Sequence, residues 1–97
     1  MQMRAIRPDT PNLCLVCGLD LVEFGADEPW GPTGDLPSFD ICPCCGTEFG
    51  YEDSTLGAVR ASRIRWIGDG RVWRDAGSEP AGWDVTAQLA KLPETAR

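Results

Sequence analysis

Histidine is absent from the 97 residues, and that removes the commonest general base and the usual nitrogen donor of mixed metal sites. Any soft-ligand metal site in this chain has to be built from sulfur alone. Positive charge is also scarce. Nine basic residues face fifteen acidic ones, for a net charge of −6 and a pI near 4.4. A phosphate backbone is gripped by a basic stripe, so a general nucleic-acid role is not expected. No apolar stretch approaches the roughly 20 residues that span a bilayer, so no membrane segment is expected. Met1 to Pro11 carries two arginines and no apolar h-region, which reads as no secretory signal and a cytoplasmic, reducing location. A glycine-rich phosphate loop is missing too, since Gly68-Asp69-Gly70 is a turn. A catalytic carboxylate pair is equally missing. Glu52 and Asp53 are neighbours in sequence and read as a helix cap and as partners for Arg60 or Arg63. Together these absences point to a protein that is not an enzyme.

What the chain does have is cysteine and tryptophan: five of the first and four of the second. A fold this small buries little surface and commonly needs a staple, either disulfides or a metal. The strongest pattern is Cys14-Leu-Val-Cys17-Gly18 followed by Cys42-Pro-Cys44-Cys45-Gly46. In such a knuckle a tight turn brings two sulfurs to one ion, and the glycine takes a left-handed backbone position. Two knuckles supply the four sulfurs of a closed tetrahedral site. The candidate metal ligands are therefore Cys14, Cys17, Cys42 and Cys45, in a reducing compartment where paired CxxC motifs favour metal over disulfide. Cys44 is left over, either a small core residue or a reactive thiol beside the site.

Residues 1–12 read as a flexible tail, and 13–53 as a four-cysteine β module. Leu19, Leu21, Val22 and Phe24 read as a strand leaving the first knuckle. Phe39 and Ile41 alternate into the second knuckle, and Phe49 and Tyr51 alternate out of it. Between the knuckles lies a connection, 27–37, punctuated by proline and glycine. Residues 54–95 read as a helical extension. Asp53 and Ser54 are cap candidates, and Thr55 to Ile67 has helical spacing with Leu56, Val59, Ile64, Trp66 and Ile67 on one arc. Arg60 and Arg63 fall in that arc and call for carboxylates such as Glu48, Glu52 or Asp53, whereas Arg65 points away. Asp84 caps a second helix, Val85 to Leu92, stopped by Pro93. Charge is uneven: two arginines and ten acids in 1–53, seven bases and five acids in 54–97. The split reads as two halves that attract one another, or else as two surfaces offered to different partners.

The knuckles resemble those of zinc ribbons and of rubredoxins, which hold one iron and carry electrons. Leu19 stands where rubredoxins place an aromatic residue, and the half after Tyr51 has no counterpart there. Residues 42–53, Cys-Pro-Cys-Cys-Gly-Thr-Glu-Phe-Gly-Tyr-Glu-Asp, resemble the signature of small bacterial cysteine-rich CPCC-type proteins. That likeness continues through Arg63, Trp66-Ile67, Gly70, Trp73, Pro80-Ala-Gly-Trp83-Asp84 and Gln88-Leu89. It implies a small α+β fold, a zinc-ribbon or rubredoxin-like β module followed by one or two short helices. It also implies metal binding by the four cysteines, and it supplies no reaction. The expectation is a structural zinc protein that engages another protein, with an iron electron carrier as the alternative. A surface of Arg60, Arg63, Arg65, Arg71 and Arg74 is the only candidate for nucleic acid. Trp66, Trp73 and Trp83 read first as core and second as a binding face.

Overall fold

In a computed structural model of the chain, which describes residues 10–97, two α-helices and two short 3-10 turns are the only regular elements among those residues. The β module expected over 13–53 is not formed. Pairing there is confined to two isolated antiparallel bridges, Leu13 with Asp20 and Ile41 with Glu48. A ladder needs consecutive free N–H and C=O groups, and here the backbone spends them on turns. The N–H groups of Phe24, Gly25 and Ala26 fold back onto the carbonyls of Asp20, Val22 and Leu21 at 3.0, 3.0 and 2.8 Å. Gly31, Gly34 and Phe39 all have positive φ, which breaks the extended run before the second knuckle. Of the expected tail, residues 1–9 lie outside the described residues. Asn12 belongs to the first loop, its carbonyl accepting from Leu21 N–H at 2.8 Å and its Nδ2 donating to Asp20 at 2.7 Å.

Helix α1 runs Leu56–Gly68. Its cap is Thr55, whose Oγ1 accepts from Ala58 N–H at 3.0 Å, and the cap is not at Asp53 or Ser54. Those two residues are already engaged by the preceding turn. The buried Asp53 carboxylate accepts from Trp30 Nε1 at 2.9 Å and from Gly50 N–H at 2.8 Å. Ser54 Oγ donates to Gly50 O at 2.9 Å. The inward face of α1 is Val59, Ser62 and Trp66, with Leu56 and Ile67 partly covered. Ile64 is 71% exposed, so the apolar arc is narrower than its spacing suggested.

Helix α2, Val85–Leu89, is capped by Asp84, whose Oδ1 accepts from Ala87 N–H at 3.1 Å. It stops three residues short of the expected end, and the chain then turns to bury Leu92 and Ala96. The aromatic residues bind these pieces together. Trp30, Trp66 and Trp73 are buried, and Trp83 packs edge-on to Trp73 with centroids 5.5 Å apart. The core reading of the tryptophans holds, and Trp30, in the punctuated connection, joins them. The same apolar cluster takes in Cys14, Cys17, Cys42 and Cys44.

Candidate metal centre

Two loops with the same hydrogen-bond pattern, offset by 28 residues, carry the cysteines. In the first, Cys14 N–H donates to Leu19 O at 2.9 Å, Gly18 N–H to Cys14 O at 2.7 Å and Leu21 N–H to Asn12 O at 2.8 Å. In the second, Cys42 N–H donates to Thr47 O at 2.8 Å, Gly46 N–H to Cys42 O at 2.9 Å and Phe49 N–H to Asp40 O at 2.9 Å. The knuckle motif thus extends to a ten-residue backbone repeat whose outer side chains differ.

Gly18 and Gly46 have φ of +85° and +80°, as the spacing required. Their surroundings are unequal. A Cβ on Gly18 would lie 2.3 Å from Gln88 O on α2, whereas one on Gly46 meets only the flexible stem of Arg74 at 3.3 Å. Gly46→Ala is therefore expected to cost about 1–2 kcal/mol for the left-handed alanine. Gly18→Ala adds a backbone collision and should cost more than that by at least about 1 kcal/mol. Urea midpoints of the two variants check the order, and equal midpoints would contradict the close seating of α2 on the first loop.

All five cysteines are free thiols. The Sγ atoms of Cys14, Cys17, Cys42 and Cys45 lie within 4.8 Å of one another. Cys14 and Cys45 are 3.6 Å apart, and Cys17 and Cys42 are 3.7 Å apart. These gaps far exceed a disulfide bond of about 2.05 Å. They match the edge of a tetrahedron with metal–sulfur bonds of about 2.3 Å, which is about 3.8 Å. The donor set and its spacing therefore fit one four-coordinate metal ion, and this group could hold one. Burial pushes the Cys17 thiol up, because a thiolate without a compensating cation is costly in an apolar core. A bound cation would reverse that balance and leave all four sulfurs ionised.

The supporting groups come from distant parts of the chain. Thr47 Oγ1 lies 3.1 Å from Cys45 Sγ. Arg63 is half-buried on α1 and donates through Nε to Val16 O at 2.8 Å and through Nη2 to Leu15 O at 2.6 Å and Ala96 O at 2.7 Å. This corrects the expectation of a carboxylate partner, because the loop's own carbonyls point at α1 and take the guanidinium. Burial lowers the hold of Arg63 on its proton, and the nearby Cys14 sulfur offsets part of this. Glu52 pairs instead with Arg65 at 3.4 Å, out in solvent.

Cys44 is buried inside the second knuckle. Gln88 Nε2 lies 3.5 Å from its Sγ and donates to Cys17 O at 3.1 Å, and Trp83 Nε1 donates to Gln88 Oε1 at 2.8 Å. Trp83 and Gln88 thereby tie α2 to the cysteine cluster. Sequence reasoning missed Gln88, Thr47 and the role of Arg63. Thr47 had a signal, since it directly follows the knuckle glycine, whereas Gln88 figured only in the family likeness, with nothing to place it at the cysteines. Among the described residues no helix is long and apolar enough to cross a membrane. No family model, no curated protein and no solved structure matches this chain.

Proposed function

We propose that this protein binds one structural zinc ion through Cys14, Cys17, Cys42 and Cys45, and that the fold so held serves as a non-enzymatic docking module for another protein. The observation that carries the reading is the four-sulfur group, all within 4.8 Å, three of its cysteines inside the apolar core and Cys45 packed against it, with two of its six edges at 3.6 and 3.7 Å. Four protein thiolates fill a tetrahedral ion and leave no open position for activated water, which supports a structural role over hydrolysis. The resemblance to CPCC-type proteins agrees with metal binding. A reducing, cytoplasmic setting belongs to the same reading, because the thiols have to stay unoxidised.

A protein partner is supported by the surface. Leu36, Phe39 and Tyr51 are 70%, 61% and 74% exposed. Phe39 holds a φ of +61°, a left-handed conformation that costs a bulky residue about 1–2 kcal/mol. An aromatic ring that is both strained and exposed contributes little to folding and is suited to recognition. The surrounding stretch, 12–53, contains no lysine or arginine, so the partner presents basic groups around an apolar surface, and nucleic acid is disfavoured. Of the five arginines considered for nucleic acid, Arg63 is committed to backbone carbonyls, Arg60 donates to Arg97 O at 2.9 Å and Arg65 pairs with Glu52. Phe39→Gly is expected to keep thermal stability within about 1 kcal/mol of the parent, strain relief offsetting lost contact and added chain entropy. A large loss in a urea titration would make Phe39 a structural residue.

The test of the metal reading is metal content by mass spectrometry on protein purified without added metal, together with its visible spectrum. One zinc per chain in a colourless solution is the expected result. One iron with strong visible absorption would replace this reading with electron transfer, and no metal would end it.

A further inference from the structure

The four candidate ligands are not equally protected. Cys14, Cys17 and Cys42 are fully buried, whereas Cys45 is only half-buried. Cys45 also lines a surface cavity of about 300 Å³, a size at the lower end for small-molecule sites. The cavity wall carries two guanidiniums, Arg65 and Arg74, and two carboxylates, Glu52 and Asp69. Trp73 lines it as well, and its indole N–H is buried without a hydrogen-bond partner among the described residues. Arg74 is fixed over the second knuckle, its N–H donating to Cys44 O at 3.0 Å and its stem lying against Gly46. A neutral thiol or a simple anion would satisfy only part of such a wall. Arg65 and Glu52 pair with each other at 3.4 Å, so a carboxylate for Arg74, an ammonium for Asp69 and a sulfur at Cys45 match the groups that remain.

We propose that this cavity is the exchange door of the metal centre. A small zwitterionic thiol of the amino-acid type binds in it, and Cys45 is the ligand that yields. The proposal rests on the metal reading above. With a metal held by the four cysteines, Cys45 would be the sulfur that gives up its place to the incoming thiolate, the other three staying in position. The proton of the incoming thiol passes to the departing Cys45 thiolate. No electrons change hands, so no oxidant is needed. Thr47 Oγ1, 3.1 Å from Cys45 Sγ, is placed to hold the departing sulfur. Cys17 and Cys42 lack this exit because the core closes around them.

The experiment uses the full chain loaded with zinc and checked for one ion per chain. Free cysteine and cysteamine, which share a thiol and an amine but differ in the carboxylate, are compared at equal concentration. Zinc release is followed with a chromogenic chelator. Cysteine is expected to release zinc about tenfold faster than cysteamine, the effect of one charge-assisted contact. That preference should vanish in the Arg65→Gln, Arg74→Gln double variant, whose substitutions lie outside the ligand set. In a second measurement, N-ethylmaleimide on the zinc-loaded chain should label Cys45 before any other cysteine, as mapped by peptide mass spectrometry. Equal release by the two thiols, a preference that survives in the double variant, or first labelling elsewhere would overturn the exchange door while leaving zinc binding intact. A chain that takes up no zinc would overturn both readings.

Discussion

With a metal held by the four cysteines as proposed, chelation should abolish the cooperative melt of the whole described chain, not merely loosen its first half. The two cysteine loops share no β-ladder, only one bridge each at Leu13–Asp20 and Ile41–Glu48. Nothing of sheet type would therefore hold 12–21 against 40–49 once the sulfurs are uncoupled. Binding of structural zinc in small domains supplies roughly 10–16 kcal/mol at neutral pH. The total stability of a domain is about 5–15 kcal/mol, so its loss is not survivable. The effect spreads because the core is one cluster: Val59 and Trp66 of α1, Trp73, Leu92 and Ala96 pack with the cysteines themselves. Near-ultraviolet circular dichroism reports this directly, since Trp30, Trp66 and Trp73 are buried in that cluster. Cys42→Ser should behave like the chelated protein. Cys44→Ala, outside the ligand set, should keep its metal and lose only the packing of a small side chain. A chelated sample that retained its tryptophan signal and a sharp melt would contradict the metal-held fold.

The second large effect is expected at Arg63. Three hydrogen bonds from one guanidinium join α1 to the carbonyls of Leu15, Val16 and Ala96. Hydrogen bonds to charged groups contribute about 1.5–3 kcal/mol each, and orphaned buried acceptors carry a penalty of similar size. Arg63→Ala should therefore cost about 3 kcal/mol or more in a urea titration, allowing for the half-burial of the site. Arg63→Lys should recover only part of it, because an ammonium cannot reproduce the fork that serves carbonyls on two segments. Arg65→Ala is the contrast. Its partner Glu52 is 3.4 Å away and its side chain is 60% exposed, so its loss should fall below about 1 kcal/mol. If the two alanine variants melted alike, the anchoring of the first loop by α1 would be wrong.

Local chemistry was legible wherever the signal lay within a few residues. The candidate ligand set, four sulfurs that come together, followed from CxxCG twice over, since the turn that joins residue i to i+3 is closed locally and its glycine has to be left-handed. The start and rough length of α1 and the Asp84 cap of α2 were legible for the same reason. The strands were not. Leu19–Phe24 is apolar enough for a strand and Phe39–Ile41 matches period two, but pairing depends on free donors, and turn closure at Phe24, Gly25 and Ala26 consumes them. Asp53 misled as a cap because its burial under Trp30 joins residues 23 apart. Arg63 misled because carbonyls are invisible in a side-chain pattern, and its partners lie 47 and 48 positions back in the chain.

By itself, then, the sequence determined which atoms can hold a metal, four sulfurs in a chain with no histidine, and, to within a residue or two, where the two α-helices of the described residues begin. The tertiary structure alone decided that α2 and Gln88 close over the first loop, that Arg63 binds backbone carbonyls and that Cys45 is the candidate ligand nearest solvent. The physical reason is reach. Turn and cap hydrogen bonds are settled within about five residues of chain. Burial and the pairing of buried polar groups depend on which distant segments share the small core.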